Sequence, residues 1–154
     1  MKRSPFDDEF LSVEEEKHDS SEEYLEALYM MEQNGVELAP IGQVADALGI
    51  KPPSAVQMFK RLAERGRVEY LERQGVRLLE PGREIGRRMV RYGRMMEAFI
   101  VDGLEMELDV KLAHSVEHSL NDAFVDALCT KLDHPTECPH GHPIPPGDCC
   151  PPLE

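Results

Sequence analysis

The 154-residue chain has no tryptophan, and aromatic residues make up only 6% of it. No apolar run approaches the roughly 20 residues that a membrane helix needs, so the sequence predicts no spanning segment. The first residues, MKRSPFDDEFLSVEEEKHDSSEE, are acidic and lack an apolar core, so no secretory signal is expected and the cytoplasm is the default compartment. All four cysteines (129, 138, 149 and 150) lie in the last 26 residues. They cannot staple the rest of the fold, which excludes a disulfide scaffold. Basic residues are also scarce, 17 against 30 acidic, for a net charge of −13. Bulk charge alone therefore argues against nucleic acid.

The distribution of that charge reverses the argument. Residues 1–39 hold 3 basic and 12 acidic side chains, residues 40–94 hold 12 and 6, and residues 95–154 hold 2 and 12. A basic middle is the electrostatic footprint of phosphate binding. Acidic flanks are either solvated surface or a place for cations.

The pattern of apolar residues gives a mainly α protein. Residues 1–19 are expected to be a disordered acidic arm. Ser20 and Glu23 form a capping box for a helix from about Ser21 to Gln33. A short helix through Ile41, Val44, Ala45 and Leu48 ends at Gly49, and Pro52-Pro53-Ser54 opens another that ends at Gly66. Two strands, Val68–Leu71 and Val76–Leu79, flank a turn ending in Gly75. Helix, turn, helix and hairpin make a winged helix-turn-helix. A long helix from Pro81 to about Val101 follows, then helices near 110–119 and 121–132, and an irregular Pro-, Cys- and His-rich tail. The expected division is 20–82 for the winged-helix domain, 83–146 for a helical metal-binding and dimerisation domain, and 147–154 for a flexible tail.

In this geometry the start of the second helix enters the major groove. Lys51, Ser54, Gln57, Lys60 and Arg61 would face DNA, with Gln57 suited to adenine and the basic residues to phosphates. Arg73 and Arg77 lie on the wing. Farther on, His114, Glu117 and His118 fall at i, i+3 and i+4, so two imidazoles and a carboxylate share one helix face. Glu23 and Glu26 share a face of the first helix. If the two faces meet, five N/O groups close around one cation. The same H-x-x-E-H string is the signature of a class of zinc peptidases, which keeps a small peptidase as one alternative; a metal-independent winged-helix regulator is the other. Carboxylates with imidazole suit Mn(II), then Fe(II), while Zn(II) would bind at least as tightly in vitro. The Cys138-Pro-His140-Gly-His142 and Cys149-Cys150 spacing matches no standard structural zinc pattern.

From 21 to 146 the sequence resembles the metal-dependent repressors of the diphtheria-toxin-repressor and manganese-transport-regulator family. The likeness is carried by EYLEALYMM at 23–31, I-x-x-V-A-x-x-L-G at 41–49, PSAVQMFKRL at 53–62, VRLLEPG at 76–82, VEH at 116–118 and CPHGHPIP at 138–145. The resemblance implies a non-enzymatic homodimeric regulator that binds double-stranded operator DNA, with no membrane partner and no small-molecule substrate. It implies metal ligands at Glu23, Glu26, His114, Glu117 and His118, and an ancillary acidic ligand at Glu97. Pro53, Ser54 and Gln57 match the part of the recognition helix that faces base edges. Gly93 stands where the family usually has a ligand histidine, and the third domain of some members has no counterpart. The expected switch is electrostatic: without metal, repelling carboxylates leave the first helix loosely placed, and a bound dication locks it to the dimerisation domain.

Overall fold

The computed structural model describes residues 21–152; the expected arm, the Ser20 cap and residues 153–154 lie outside the described residues. Three helices open the described chain: α1 (Ser21–Gln33), α2 (Ile41–Leu48) and α3 (Pro52–Glu64). A hairpin of β1 (Val68–Leu71) and β2 (Gly75–Leu78) leads into α4 (Glu80–Ala98), which continues as a π-helical turn (Phe99–Gly103). Helices α5 (Val110–Glu117) and α6 (Asp122–Lys131) and an irregular tail complete it. The architecture is mainly helical with a two-stranded wing. Among the described residues no helix is long and apolar enough to cross a membrane.

Local chemistry sets the element ends. Gly49 closes α2 in the left-handed conformation, with φ +67°, where glycine carries no Cβ penalty. Two prolines in the first turn of α3 occupy positions whose N–H groups would have no helical acceptor. The hairpin pairs Val68 with Leu78 and Leu71 with Gly75, so β2 starts one residue earlier than the sequence pattern suggests. Ala39 adds a bridge to Val76, with both N–H···O distances 2.9 Å. That bridge runs against Gly75, where a Cβ would sit 2.5 Å from the Ala39 oxygen. Leu79 leaves the strand and precedes α4.

Two cores share α4. The first gathers Leu25, Leu28, Val44, Ala45, Phe59, Leu62, Val68 and Val76, with the Tyr24 and Phe59 rings edge-to-face at 5.5 Å. The second gathers Met89, Tyr92, Met95, Val125, Leu128, Cys129 and Ile144. Ile85 packs on the first and Met89 belongs to the second, so the change falls within one turn of α4. The tail, expected to be flexible from 147, instead sets Cys149 and Cys150 against the second core.

The basic middle of the sequence is divided by this fold. On α4, Arg83 pairs with Glu32 at 2.6 Å, Arg88 approaches Asp122 at 3.7 Å, and Arg91 pairs with Asp126 at 3.0 Å. Arg87 and Arg94 donate to the tail carbonyls of Pro146 and Pro143, at 2.6 and 2.5 Å. These five arginines hold the chain together, and the surface positive charge falls to α3 and the wing.

Candidate metal centre

Helices α1 and α5 meet over α4 because two glycines let them come close. At Gly86 a Cβ would lie 2.5 Å from the Leu25 oxygen and 2.9 Å from the Tyr29 Cβ, so α1 crosses with its backbone against α4. At Gly93 a Cβ would collide with Oε2 of Glu117. The position where the family carries a ligand histidine is therefore filled by the Glu117 carboxylate itself. Helix α5 starts at Asp109, whose side chain accepts the Leu112 N–H at 2.9 Å, and ends at Glu117, leaving His118 on its C-terminal rim.

This packing brings Glu26, His114, Glu117 and His118 together, with ligand-type atoms all within 4.8 Å of one another. His114 Nδ1 is 2.9 Å and His118 Nε2 is 3.4 Å from Glu117 Oε1. Glu23 Oε1 stands just outside, 3.8 Å from His114 Nε2 and 3.7 Å from His118 Nε2. Sequence reasoning missed Glu22, whose Oε2 meets His118 Nδ1 at 2.9 Å. That contact fixes the ring so that Nε2 faces the cluster, the usual device for orienting a metal-binding histidine. A signal for it existed: Glu22 sits one turn before Glu26 on α1.

Glu117 is only 2% exposed, and its pKa is pushed up to about 10. Burial is the main cause; a hydrogen bond with Glu26 and the negative charges of Glu26, Glu23 and Glu22 add to it. No lysine or arginine is among the causes. Its Oε1 lacks a well-oriented hydrogen-bond donor despite the nearby imidazole. Burial and the surrounding carboxylates thus favour the protonated form of this carboxyl. Two imidazoles, two buried carboxyls and an oxygen without a proper donor are a donor set that fits a divalent cation.

The expected ancillary position, at Glu97, gains partners from the tail. Glu97 has no histidine partner one turn earlier, but the tail supplies one: His140 Nδ1 is 3.2 Å from Glu97 Oε2, and Cys138 completes a second group. A cavity of about 580 Å³ joins the two groups, from Glu26 and His114 past Gly93 to Glu97, Cys138 and His140.

Lys51 before α3 and Pro53, Ser54, Gln57, Lys60 and Arg61 on it are exposed, and the helix's other face buries Ala55, Met58, Phe59 and Leu62. Arg73 and Arg77 are exposed on the wing. Arg77 pairs across the hairpin with Glu69 at 2.6 Å, an exposed ion pair worth about 0–1 kcal/mol that a phosphate could replace.

Comparison with known proteins identifies both parts of the chain. Residues 18–76 match the family model described as "Iron dependent repressor, N-terminal DNA binding domain", and residues 79–146 match "Iron dependent repressor, metal binding and dimerisation domain". The HTH-type transcriptional regulator MntR of Bacillus velezensis is 29% identical over 111 residues, 71% of this chain and 77% of the relative. The iron-dependent repressor IdeR of Mycobacterium bovis is 30% identical over 130 residues, 82% of this chain and 56% of the relative. A solved structure described as a manganese-dependent transcriptional repressor in complex with manganese superposes with a TM-score of 0.75 at 28% identity, over 87% of this chain and 62% of that one. The chain thus spans less than two thirds of the latter two proteins.

Proposed function

The chain belongs to the diphtheria-toxin-repressor and manganese-transport-regulator family of metal-dependent repressors, and from that premise we propose that it is a metal-activated, sequence-specific regulator of metal-homeostasis genes. One observation carries the reading: carboxylates of α1 and imidazoles of α5 converge on a buried, poorly satisfied oxygen of Glu117, between the winged helix and the second core. Glu26, His114, Glu117 and His118 hold the ion, with Glu23 at the rim and Glu22 orienting His118. Glu97 serves the ancillary position with Cys138 and His140. A divalent metal supplies the positive charge that these acidic groups lack. With oxygen and imidazole donors the working metal is Mn(II) or Fe(II), Mn(II) preferred, and Zn(II) occupies the site in vitro.

The chain's own part is mechanical. Glu117 gives up its proton, and Glu26 and His118 become fixed to one another across the α1–α5 boundary. The winged helix then holds one orientation on the 83–146 domain. In a homodimer this fixes the spacing of the two α3 helices, which must match half-sites one turn of DNA apart or a multiple of it. Among the described residues, five of the eight exposed large apolar side chains (Leu104, Met106, Val110, Leu112 and Phe124) cluster in sequence between 104 and 124, which supports a dimer face there. Ser54 and Gln57 read bases, and Lys51, Lys60, Arg61, Arg73 and Arg77 bind phosphates.

The test is fluorescence anisotropy on promoter fragments of metal-transport genes, first with chelator and then with Mn(II), Fe(II) or Zn(II). The expected result is binding that needs metal and weakens steeply with salt, as counterion release requires. Tight binding unaffected by chelator would leave a plain winged-helix regulator.

A further inference from the structure

The second core holds another group of metal-ligating side chains, remote in sequence from the Glu117 centre. Cys129 near the end of α6, His134 in the turn after it, and Cys149 and Cys150 in the tail bring their ligand atoms within 4.8 Å of one another. All four cysteines of the chain are free. We propose that Cys129, His134, Cys149 and Cys150 form a structural zinc site that ties the tail to the second core.

The distances are those of a tetrahedral ion. Zn–S bonds of about 2.3 Å and Zn–N bonds of about 2.05 Å place tetrahedral ligands about 3.8 Å (S···S) and about 3.5 Å (S···N) apart. Cys129 Sγ lies 3.7 Å from Cys150 Sγ, Cys149 Sγ lies 3.9 Å from Cys150 Sγ, and Cys129 Sγ lies 3.5 Å from His134 Nδ1. A disulfide would need about 2.05 Å between sulfurs. A 4Fe–4S cluster, with one cysteine on each iron, would hold its cysteines farther apart than single-ion contact. Three sulfurs and one imidazole are a standard closed zinc set.

The surroundings also expect thiolates. Arg91 on α4 is 3% exposed, and its Nη2 reaches Cys149 Sγ at 3.4 Å. Asp126 pairs with it at 3.0 Å, but its Nε has no hydrogen-bond partner. Zinc with three thiolates carries one net negative charge, which the buried guanidinium offsets. Gly147 leaves room for the guanidinium, since a Cβ there would lie 2.5 Å from the Arg91 Cζ. The chain reverses after α6 through Asp133 and His134, both at positive φ (+62° and +53°), a turn that aims His134 back at Cys129. The site adds to the hold on the segment carrying Pro143 and Pro146, whose carbonyls accept from Arg94 and Arg87 on the same face of α4 as Arg91. It thereby keeps Cys138 and His140 over the Glu97 position.

Cobalt(II) distinguishes this site from the regulatory one, because only thiolate ligands give intense near-ultraviolet charge transfer and only tetrahedral cobalt gives strong visible bands. The full-length reduced, chelator-stripped protein is titrated with Co(II). In Cys138→Ser, where the Glu97 group offers no thiolate, the expected result is one equivalent of thiolate-bound cobalt, displaced by one equivalent of Zn(II). In the Cys138→Ser background, Cys149→Ser, at a half-buried position that tolerates the change, should weaken the charge-transfer band, while Glu117→Gln should leave it in place. Two results would overturn the proposal: no charge-transfer band in the reduced wild type, or a band lost in Cys138→Ser but kept in Cys149→Ser. Neither result touches the Glu26, His114, Glu117 and His118 ligands, whose cobalt would carry no thiolate band.

Discussion

Glu117→Gln should lower metal affinity by more than about 100-fold and flatten the pH dependence of the metal-free protein's stability. Losing a partner that merely orients a ligand costs about 10–100-fold, and Glu117 is the central ligand, so the loss is larger. The pH effect follows from the raised pKa. Unfolded, the carboxyl titrates near 4.5; folded, near 10. Between these values the folded state binds more protons, so this contribution is full below about pH 4.5 and is lost as pH rises toward 10. Urea midpoints of the chelated wild type should therefore fall between about pH 5.5 and pH 8.5, and those of the variant should fall less. Added Mn(II) should stabilise the wild type most at the alkaline end, since binding releases the proton. Identical profiles for wild type and variant would mean that Glu117 is ionised in the metal-free fold.

Gly86→Ala should destabilise the protein by about 1–3 kcal/mol and weaken metal binding, although alanine is the better helix former. The new Cβ meets the Leu25 carbonyl at 2.5 Å, and backbone cannot rotate away as a side-chain end can. Helix α1 must lift from α4, carrying Glu22, Glu23 and Glu26 away from α5. Gly42→Ala in α2 is the control: nothing lies within 4 Å of its Cβ, so the same substitution should stabilise by up to about 1 kcal/mol and leave metal affinity alone. Chemical denaturation and metal titration of both variants check this. Equal effects at the two glycines would show that the α1–α4 crossing does not position the site.

Much of this was legible in the sequence because it is local. Helical periodicity, the prolines of α3 and Gly49 place the helix-turn-helix, and i, i+3, i+4 spacing places His114, Glu117 and His118 on one face. What could not be read depends on chain reversals. His134 and Asp133 adopt positive φ without being glycine, so no residue type announces the turn that brings the tail back. The tail cysteines therefore looked like one poorly spaced cluster. The fold separates them, Cys138 joining Glu97 and Cys149 and Cys150 joining Cys129. The arginines of α4 misled in the opposite sense. Their charge resembled a phosphate-binding surface, yet their partners are Glu32, Asp122, Asp126 and tail carbonyls, contacts visible only in three dimensions. Gly93 looked like a missing ligand, and is the space that the Glu117 carboxylate fills.

The central claim is that one ion couples α1 to α5, and a double-mutant cycle tests it most directly. Operator affinity is measured with and without Mn(II) for wild type, Glu26→Gln, His118→Ala and the double variant. If the ion is the link, each single variant loses metal activation, the double variant is no worse than either, and all four bind alike in chelator. Losses that add independently, or single variants that still respond fully to Mn(II), would contradict the clamp.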